Sequence, residues 1–202
     1  MTREADLQYG TIQWEERLLQ PVGKIPAGPL YNITCSNGAV CQLHFPHCEI
    51  QSVLSIDGLL SAVHISTDDG LSFLEPLEIT DTHVIVEVSD LSPFGLVWDF
   101  VKRFIERKDP VASHVLLFHC PPKPTVQNQK LYVFLLPRNI SKDQVEKYYR
   151  NWKYLPCTSN CKLIKDQRYT LLCPGAPQGC KIQPKGGGRV RLILWKSIPP
   201  NI

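Results

Sequence analysis

Cysteine and histidine are the residue types of this chain whose spacing can be tested directly against known chemistry. The chain has eight cysteines, at positions 35, 41, 48, 120, 157, 161, 173 and 180. An even number could form four disulfides, but a chain of 202 residues does not need such cross-links to be stable. The first six residues mix charges and lead into no apolar segment of a signal peptide. We therefore expect reduced thiols.

Two groups of residues approach the spacing of metal ligands: Cys157, Cys161, Cys173 and Cys180, and His44, His47 and Cys48. Structural zinc sites use compact pairs of ligands two to four residues apart, and neither group has two such cysteine pairs. Most of these cysteines are therefore expected to act as small hydrophobic residues, with no metal and no other cofactor. A zinc-stabilised β module remains the alternative for the first group.

A nucleophilic hydrolase acting on other molecules, through Ser92 or a cysteine, is a second alternative. The chain contains no Gly-x-Ser-x-Gly sequence, which forms the nucleophile turn of many hydrolases. No cysteine lies in a recognisable catalytic motif. The sequence therefore does not favour a turnover enzyme.

The composition is that of an ordinary globular protein, with 43% hydrophobic and 20% charged residues. The net charge of +3 is too small to indicate nucleic-acid binding. The basic residues between 181 and 191 are explained by a loop that leads into a strand. No apolar run approaches the roughly 18 residues that cross a bilayer, so no membrane partner is expected.

The elements that must position any site are mainly strands. Seventeen prolines and twelve glycines separate short apolar runs, as is typical of a mainly β fold. The predicted strands cover residues 40–45, 62–65, 83–88, 113–119, 130–136, 168–172 and 190–195. One short helix is predicted over 98–106, where Trp98, Val101, Phe104 and Ile105 share a face. A second is predicted over 141–152, where Ser141 and Gln144 form a capping box.

A break in this pattern lies near residues 90–95, between one block of strands and a second. Neither half is long, and the last residues stop just after a predicted strand. The sequence therefore predicts two β subdomains in a chain that is a fragment.

Several short motifs, read in order, resemble the function-to-find domain (FIIND) of NLR-family and CARD-containing inflammasome sensors. They are residues 27–30 (Ala-Gly-Pro-Leu), 38–40 (Gly-Ala-Val), 43–47 (Leu-His-Phe-Pro-His), 63–64 (Val-His), Gly70 with 75–76 (Glu-Pro), 91–95 (Leu-Ser-Pro-Phe-Gly), 115–119 (Val-Leu-Leu-Phe-His), 131–132 (Leu-Tyr), 136–137 (Leu-Pro) and 168–170 (Arg-Tyr-Thr). Their order and spacing carry the signal, over about residues 11–195. The resemblance implies two packed β-sandwiches, ZU-like over 1–91 and UPA-like over 92–202, each lacking some strands.

The same resemblance implies that the chain cuts itself between Leu91 and Ser92. Ser92 matches the family's nucleophile, His64 its assisting histidine and Glu75 its supporting acid. Leu91 stands where the family has phenylalanine, so a cleavage-dead scaffold is an open alternative. The plain readings also remain: a Ser-Pro turn, an edge-strand histidine and a solvated glutamate.

The chemistry needs only common side chains. A serine hydroxyl can attack the carbonyl that precedes its own nitrogen if a base takes its proton, and water then hydrolyses the resulting ester. Histidine suits this acid-base work because its pKa lies near neutrality, and a carboxylate can orient the ring.

The resemblance implies a cytoplasmic, regulatory protein-interaction module of an innate-immune sensor. The expected partners are its own cleaved half, a death-fold signalling domain of the full-length protein, and a post-proline dipeptidyl peptidase. The resemblance implies the peptidase as a restraining partner, and cleavage would expose a terminus with Pro93 as its second residue, which suits such an enzyme.

Overall fold

The computed structural model describes residues 6–36, 40–66, 70–105, 109–120 and 130–164. These residues form a mainly β fold of two β subdomains, which confirms the predicted fold class. The strands are β1 (Leu7–Ile12), β2 (Lys24–Cys35), β3 (Gln42–Pro46), β4 (Leu60–Ser66), β5 (Gly70–Leu74), β6 (Pro76–Ile79), β7 (His83–Glu87), β8 (Pro93–Asp99), β9 (Val111–Cys120), β10 (Lys130–Pro137) and β11 (Lys153–Leu163).

The helical elements in this part of the chain are short. The α-helices are α1 (Glu16–Leu19), α2 (Gln51–Leu54) and α3 (Lys142–Tyr148). A 3-10 turn follows α1 at Gln20–Val22, and a π-helical turn follows β8 at Val101–Ile105.

The first subdomain is a sandwich of two antiparallel sheets. One sheet has the order β1-β2-β8-β4-β5 and the other the order β3-β7-β6. Alternate residues of each sheet point inward, so that Phe45, Val84 and Val86 of the smaller sheet pack against Ala62 and Phe94 of the larger one. This apolar layer is the main core of the molecule.

Strand β8 lies at the centre of the larger sheet, paired with β2 on one side and β4 on the other. Both of its faces are covered: Leu96 belongs to the main core, and Val97 packs with Trp14 and Leu19 on the outer face. Gly95 leaves room for the Trp14 ring, because a Cβ at this position would lie 2.6 Å from Trp14 Cη2. The near-continuous apolar run of β8 reflects burial on two faces.

The second subdomain contributes one described sheet, of order β10-β9-β11, covered by α3. The predicted capping box is present at the start of α3. Ser141 Oγ accepts from the Gln144 backbone N–H at 3.3 Å, and Gln144 Oε1 accepts from the Ser141 N–H at 2.8 Å. The helix ends at Tyr148, before the predicted end, and Trp152 closes a turn by donating to the Tyr149 carbonyl.

The two subdomains share apolar core. Val111 at the start of β9 and Leu163 at the end of β11 are buried in the main core of the first subdomain. Asn139, which follows β10, donates a hydrogen bond of 2.8 Å to the Ala27 carbonyl, where the register of β2 with β8 shifts. A buried ion pair of 2.8 Å, from Arg103 Nε to Glu49 Oε1, lies beside the connection.

The predicted helix over 98–106 is partly wrong. Residues up to Asp99 continue strand β8, and the helical element described after it is the π-turn at Val101–Ile105. Trp98 and Phe104 do contact each other, with ring centroids 5.5 Å apart, which explains their helix-like spacing. Trp98 stays in the sheet because its position is paired on both sides, with Ile25 and with Leu60. The strands predicted over 168–172 and 190–195 lie outside the described residues.

Candidate functional site

Ser92 lies in the short connection that leads into the central strand β8. Pro93 is the first residue of that strand, where the missing N–H of proline costs no interior ladder bond. Leu91, on the other side, is half-buried and packs against the main core. The half-buried Ser92 is therefore held between an apolar anchor and a paired strand.

His64 reaches Ser92 from the neighbouring strand β4. The two strands are antiparallel, and their register places His64 directly opposite Phe94. His64 Nε2 forms a hydrogen bond with Ser92 Oγ. The structure thus brings together two of the three predicted site residues, which are 28 positions apart in sequence.

The imidazole of His64 is fixed by more than this hydrogen bond. Its ring stacks on the Phe94 ring, with centroids 4.6 Å apart and planes 18° from parallel. The backbone of His64 is also held, since Ser72 Oγ on strand β5 donates to the His64 carbonyl at 3.3 Å. Within the described residues, Ser92 is the hydrogen-bond partner of the His64 ring.

Glu75 is not brought to His64. Ser72 is the residue of β5 opposite His64. Glu75 lies three residues further along the chain, so strand spacing puts its Cα about 10 Å from the Ser72 Cα. The Glu75 side chain is exposed and lines a separate cavity of about 760 Å³, together with Lys24 and Phe73. Sequence order could not show this, because the hairpin register decides which residue of β5 faces His64.

The Ser92–His64 pair has the geometry for proton transfer. For His64 to take the hydroxyl proton, Nε2 must be unprotonated, which requires the tautomer with its proton on Nδ1. The attacked carbonyl belongs to the residue next to Ser92, so the chain itself supplies proximity. The arrangement is that of a base, His64, beside a serine whose hydroxyl is close in the chain to the Leu91–Ser92 peptide bond.

Phe94 is the functional candidate that the sequence interpretation missed. The motif at residues 91–95 contains Phe94, but the resemblance gives this residue no role. The signal that could have found it is strand alternation: in β8, Phe94 is two residues after Ser92, and residues two apart face the same side of a sheet.

The residues whose spacing approaches that of metal ligands do not form a cluster in the described part of the chain. No group of three or more His, Cys, Asp or Glu side chains is arranged there to hold a metal ion. Cys48 is fully buried, and burial raises the pKa of its thiol, so it behaves as a small hydrophobic residue. Burial likewise raises the pKa of the Cys161 thiol. Cys173 and Cys180 lie outside the described residues.

Family comparison agrees with the mainly β fold. A family model described as "Function to find" (FIIND) matches residues 1–104, and a UPA-FIIND domain model matches residues 111–188. The chain belongs to the FIIND family. This assignment confirms the resemblance drawn from the motifs, with ZU and UPA parts. As a family, FIIND domains are protein-interaction and autoprocessing modules of inflammasome-type proteins.

The interval between the two matches, from residue 104 to residue 111, lies where the chain passes from the first subdomain to the second. The FIIND match ends within the π-helical turn at Val101–Ile105, and the UPA-FIIND match begins at Val111, the first residue of β9. Ser92 and strand β8 therefore lie inside the first match. The predicted division into a ZU-like part over 1–91 and a UPA-like part over 92–202 stays a prediction. Strand β8, which follows residue 91, is paired with β2 and β4 of the first subdomain.

In the described part of this FIIND, no helix combines the length and the apolar character that crossing a bilayer requires.

Proposed function

We propose that this FIIND is a regulatory interaction module of a cytosolic innate-immune sensor of the NLR inflammasome type, and that it cuts itself between Leu91 and Ser92. The observation that carries the proposal is the hydrogen bond between His64 Nε2 on strand β4 and Ser92 Oγ in the connection that leads into β8. A solvated serine or an edge histidine would not need this pairing.

The reaction transfers an acyl group from nitrogen to oxygen. His64 takes the hydroxyl proton as Ser92 Oγ attacks the Leu91 carbonyl carbon. The Leu91–Ser92 C–N bond then breaks, and His64 returns the proton to the Ser92 nitrogen. Water hydrolyses the ester that links Leu91 to Ser92 Oγ. The products are a Leu91 carboxylate and a Ser92 with a free amine and its hydroxyl restored.

The alternative is a cleavage-dead scaffold, and it arises because Leu91 precedes the proposed cut. Leu91 replaces the phenylalanine that the resemblance implies, but it is apolar and packs against the main core. Anchoring of the connection by burial is therefore retained. This contact favours the cleaving form.

The test is the mass of the full chain under denaturing conditions, which reports one species or two. We expect two species, residues 1–91 and 92–202, and one uncut species from Ser92→Ala. His64→Ala should slow the cut by about 10²–10⁴-fold, the usual value of acid-base assistance. Leu91→Phe should cut at least as fast as the natural chain. A single uncut species from both the natural chain and Leu91→Phe would favour the scaffold.

Glu75→Ala separates the sequence-based prediction from the geometry. The resemblance gives Glu75 a supporting role, whereas the structure puts it away from the His64 ring. We therefore expect Glu75→Ala to cut at the natural rate. A rate as low as that of His64→Ala would show that Glu75 reaches the site during the reaction.

The halves should stay together after the cut. Strand β8 would begin the second product, yet it is paired with β2 and β4 of the first. Fully buried side chains such as those of Phe94, Leu96 and Val97 contribute roughly 1.5–3 kcal/mol each, and breaking one covalent bond does not expose them. Gel filtration without denaturant should give one complex, and two separately eluting fragments would contradict the association.

The proposed partners follow from the new terminus and from the full-length protein. A terminus that begins Ser92-Pro93 suits a post-proline dipeptidyl peptidase, and a death-fold domain would be the signalling partner that the module restrains. Because Pro93 is paired with Asn32 inside the sheet, the peptidase can hold this terminus only after the first residues of β8 leave it. Pull-down with a cytosolic dipeptidyl peptidase, with and without a substrate-mimic inhibitor, tests this. Binding under neither condition would remove the peptidase.

A further inference from the structure

The face of the His64 imidazole lies against an aromatic ring supplied by the strand that Ser92 precedes. The His64 and Phe94 centroids are 4.6 Å apart and their planes differ by 18°, which is a stacked arrangement. Phe94 is only 1% exposed, so this contact is shielded from water. The ring that holds His64 and the serine that His64 contacts are two residues apart in one chain segment.

The contact between the two rings depends on the register of strands β4 and β8. Phe94 is opposite His64 on β4 and opposite Tyr31 on β2, so its side chain shares one sheet face with both. A slip of one residue between β4 and β8 would turn Phe94 to the other face and separate His64 from Ser92 at once. The same pairing therefore fixes the base and its support.

The Phe94 ring is itself backed by other rings. Phe45 of the smaller sheet stacks on Phe94 with centroids 6.1 Å apart, and Tyr31 stacks on Phe45 at 6.2 Å. Tyr9 on strand β1 meets the Tyr31 ring edge-on at 6.3 Å. A column of aromatic side chains thus runs from the edge strand to His64 and restricts how the Phe94 ring can move.

We propose that Phe94 is a positioning residue for self-cleavage, which holds the His64 imidazole in the plane that directs Nε2 at Ser92 Oγ. The role rests on the proposed function, because it matters only if His64 is the base. The hydrogen bond to Ser92 restrains one end of the imidazole, and the ring could still rotate about it. A rigid, buried face removes that freedom before the reaction begins, as pre-organised sites do.

The rate test replaces Phe94 by residues that keep or remove the aromatic face. Phe94→Leu retains an apolar side chain but offers no ring, and we expect the cut to slow by about 10²-fold, since small misplacements of a catalytic group have costs of this size. Phe94→Tyr keeps the ring and should restore most of the rate, although its buried hydroxyl lowers stability. Leu96→Ala is the matched control, because Leu96 is buried on the same strand face and lies opposite Ala62, whereas Phe94 lies opposite His64.

A second readout separates positioning from general loss of packing. In uncut protein carrying Ser92→Ala, the His64 ring protons lie over Phe94 and should show upfield ring-current shifts by NMR. Phe94→Leu should abolish these shifts, and Phe94→Tyr and Leu96→Ala should retain them. Thermal unfolding of each variant shows which are folded at the temperature of the measurement.

The outcomes are distinguishable from those of the proposed function. If the natural chain does not cut, the proposed function fails, and the NMR shifts still decide whether Phe94 orients His64. If the chain cuts and Phe94→Leu cuts as fast as Leu96→Ala, Phe94 is only a core residue. Loss of the shifts in Leu96→Ala would also overturn the inference, since the stack would then depend on packing in general.

Discussion

Replacing Arg103 by leucine should destabilise the protein far more than an ordinary surface change. The Arg103 side chain is 1% exposed and that of Glu49 is fully buried, and 2.8 Å separates Arg103 Nε from Glu49 Oε1. Arg103 Nη1 also donates to the Asp109 carbonyl at 2.9 Å, beside the connection between the subdomains. Leucine would leave the Glu49 carboxylate buried without its cation.

The magnitude follows from that burial. Removing one member of a buried ion pair typically costs about 3–5 kcal/mol, since the remaining charge keeps its desolvation penalty. Total stabilities are only about 5–15 kcal/mol, so Arg103→Leu should remove a large part of the free energy of unfolding. Removing both charges, as Arg103→Met with Glu49→Leu, should recover most of the loss, because apolar residues of similar volume tolerate burial.

Urea unfolding followed by tryptophan fluorescence measures these differences, with the single and double variants compared at one pH. Lys142→Ala is the control, because the exposed Lys142–Glu146 pair is screened by water and should change the midpoint little. A double variant no more stable than Arg103→Leu would refute the unpaired-charge argument. It would place the loss in the hydrogen bonds that Arg103 donates to the connection.

Three further changes test the packing and the electrostatics. Gly95→Ala should destabilise the protein by about 1–3 kcal/mol in urea unfolding, because its Cβ would overlap the Trp14 ring, and an unchanged midpoint would mean that this ring moves freely. Ser141→Ala should cost about 1 kcal/mol through loss of the cap to Gln144, and Ser141→Asp should retain most of the stability; equal losses in both would assign the effect elsewhere. Burial lowers the pKa of His114 below the ordinary histidine value of 6.5, so the unfolded state binds the proton first as pH falls. The stability that neutral His114 supports is therefore present above pH 6.5 and is lost as pH falls below it. The unfolding free energy of His114→Phe should therefore fall less than that of the natural chain between about pH 7.5 and about pH 5.5, and parallel pH curves would contradict this.

Strands with regular alternation could be predicted from the sequence, and those with proline or glycine inside could not. Strand β7 has a clean pattern, with Val84 and Val86 buried on one face. Strand β2 contains Pro26, Gly28 and Pro29, which indicate a turn in a local reading. The structure uses them at the irregularity where β2 loses register with β8, so they interrupt pairing without ending the strand.

The sequence by itself determined the mainly β class, the capping box of α3, the family, and two members of the candidate site. Each of these depends on residue type, alternation or the order of motifs along the chain. The order of the motifs places His64 and Ser92 in one family pattern, so the sequence predicts both as site residues.

Only the tertiary structure decided which side chains meet. Placing β8 between β2 and β4 kept Trp98 in a strand, brought Phe94 under His64 and left Glu75 beyond the register position that faces the imidazole. These outcomes depend on pairings between residues far apart in sequence, and burial of whole sheet faces selects one register among several that local patterns allow. A local sequence pattern carries no information on which register the sheets select.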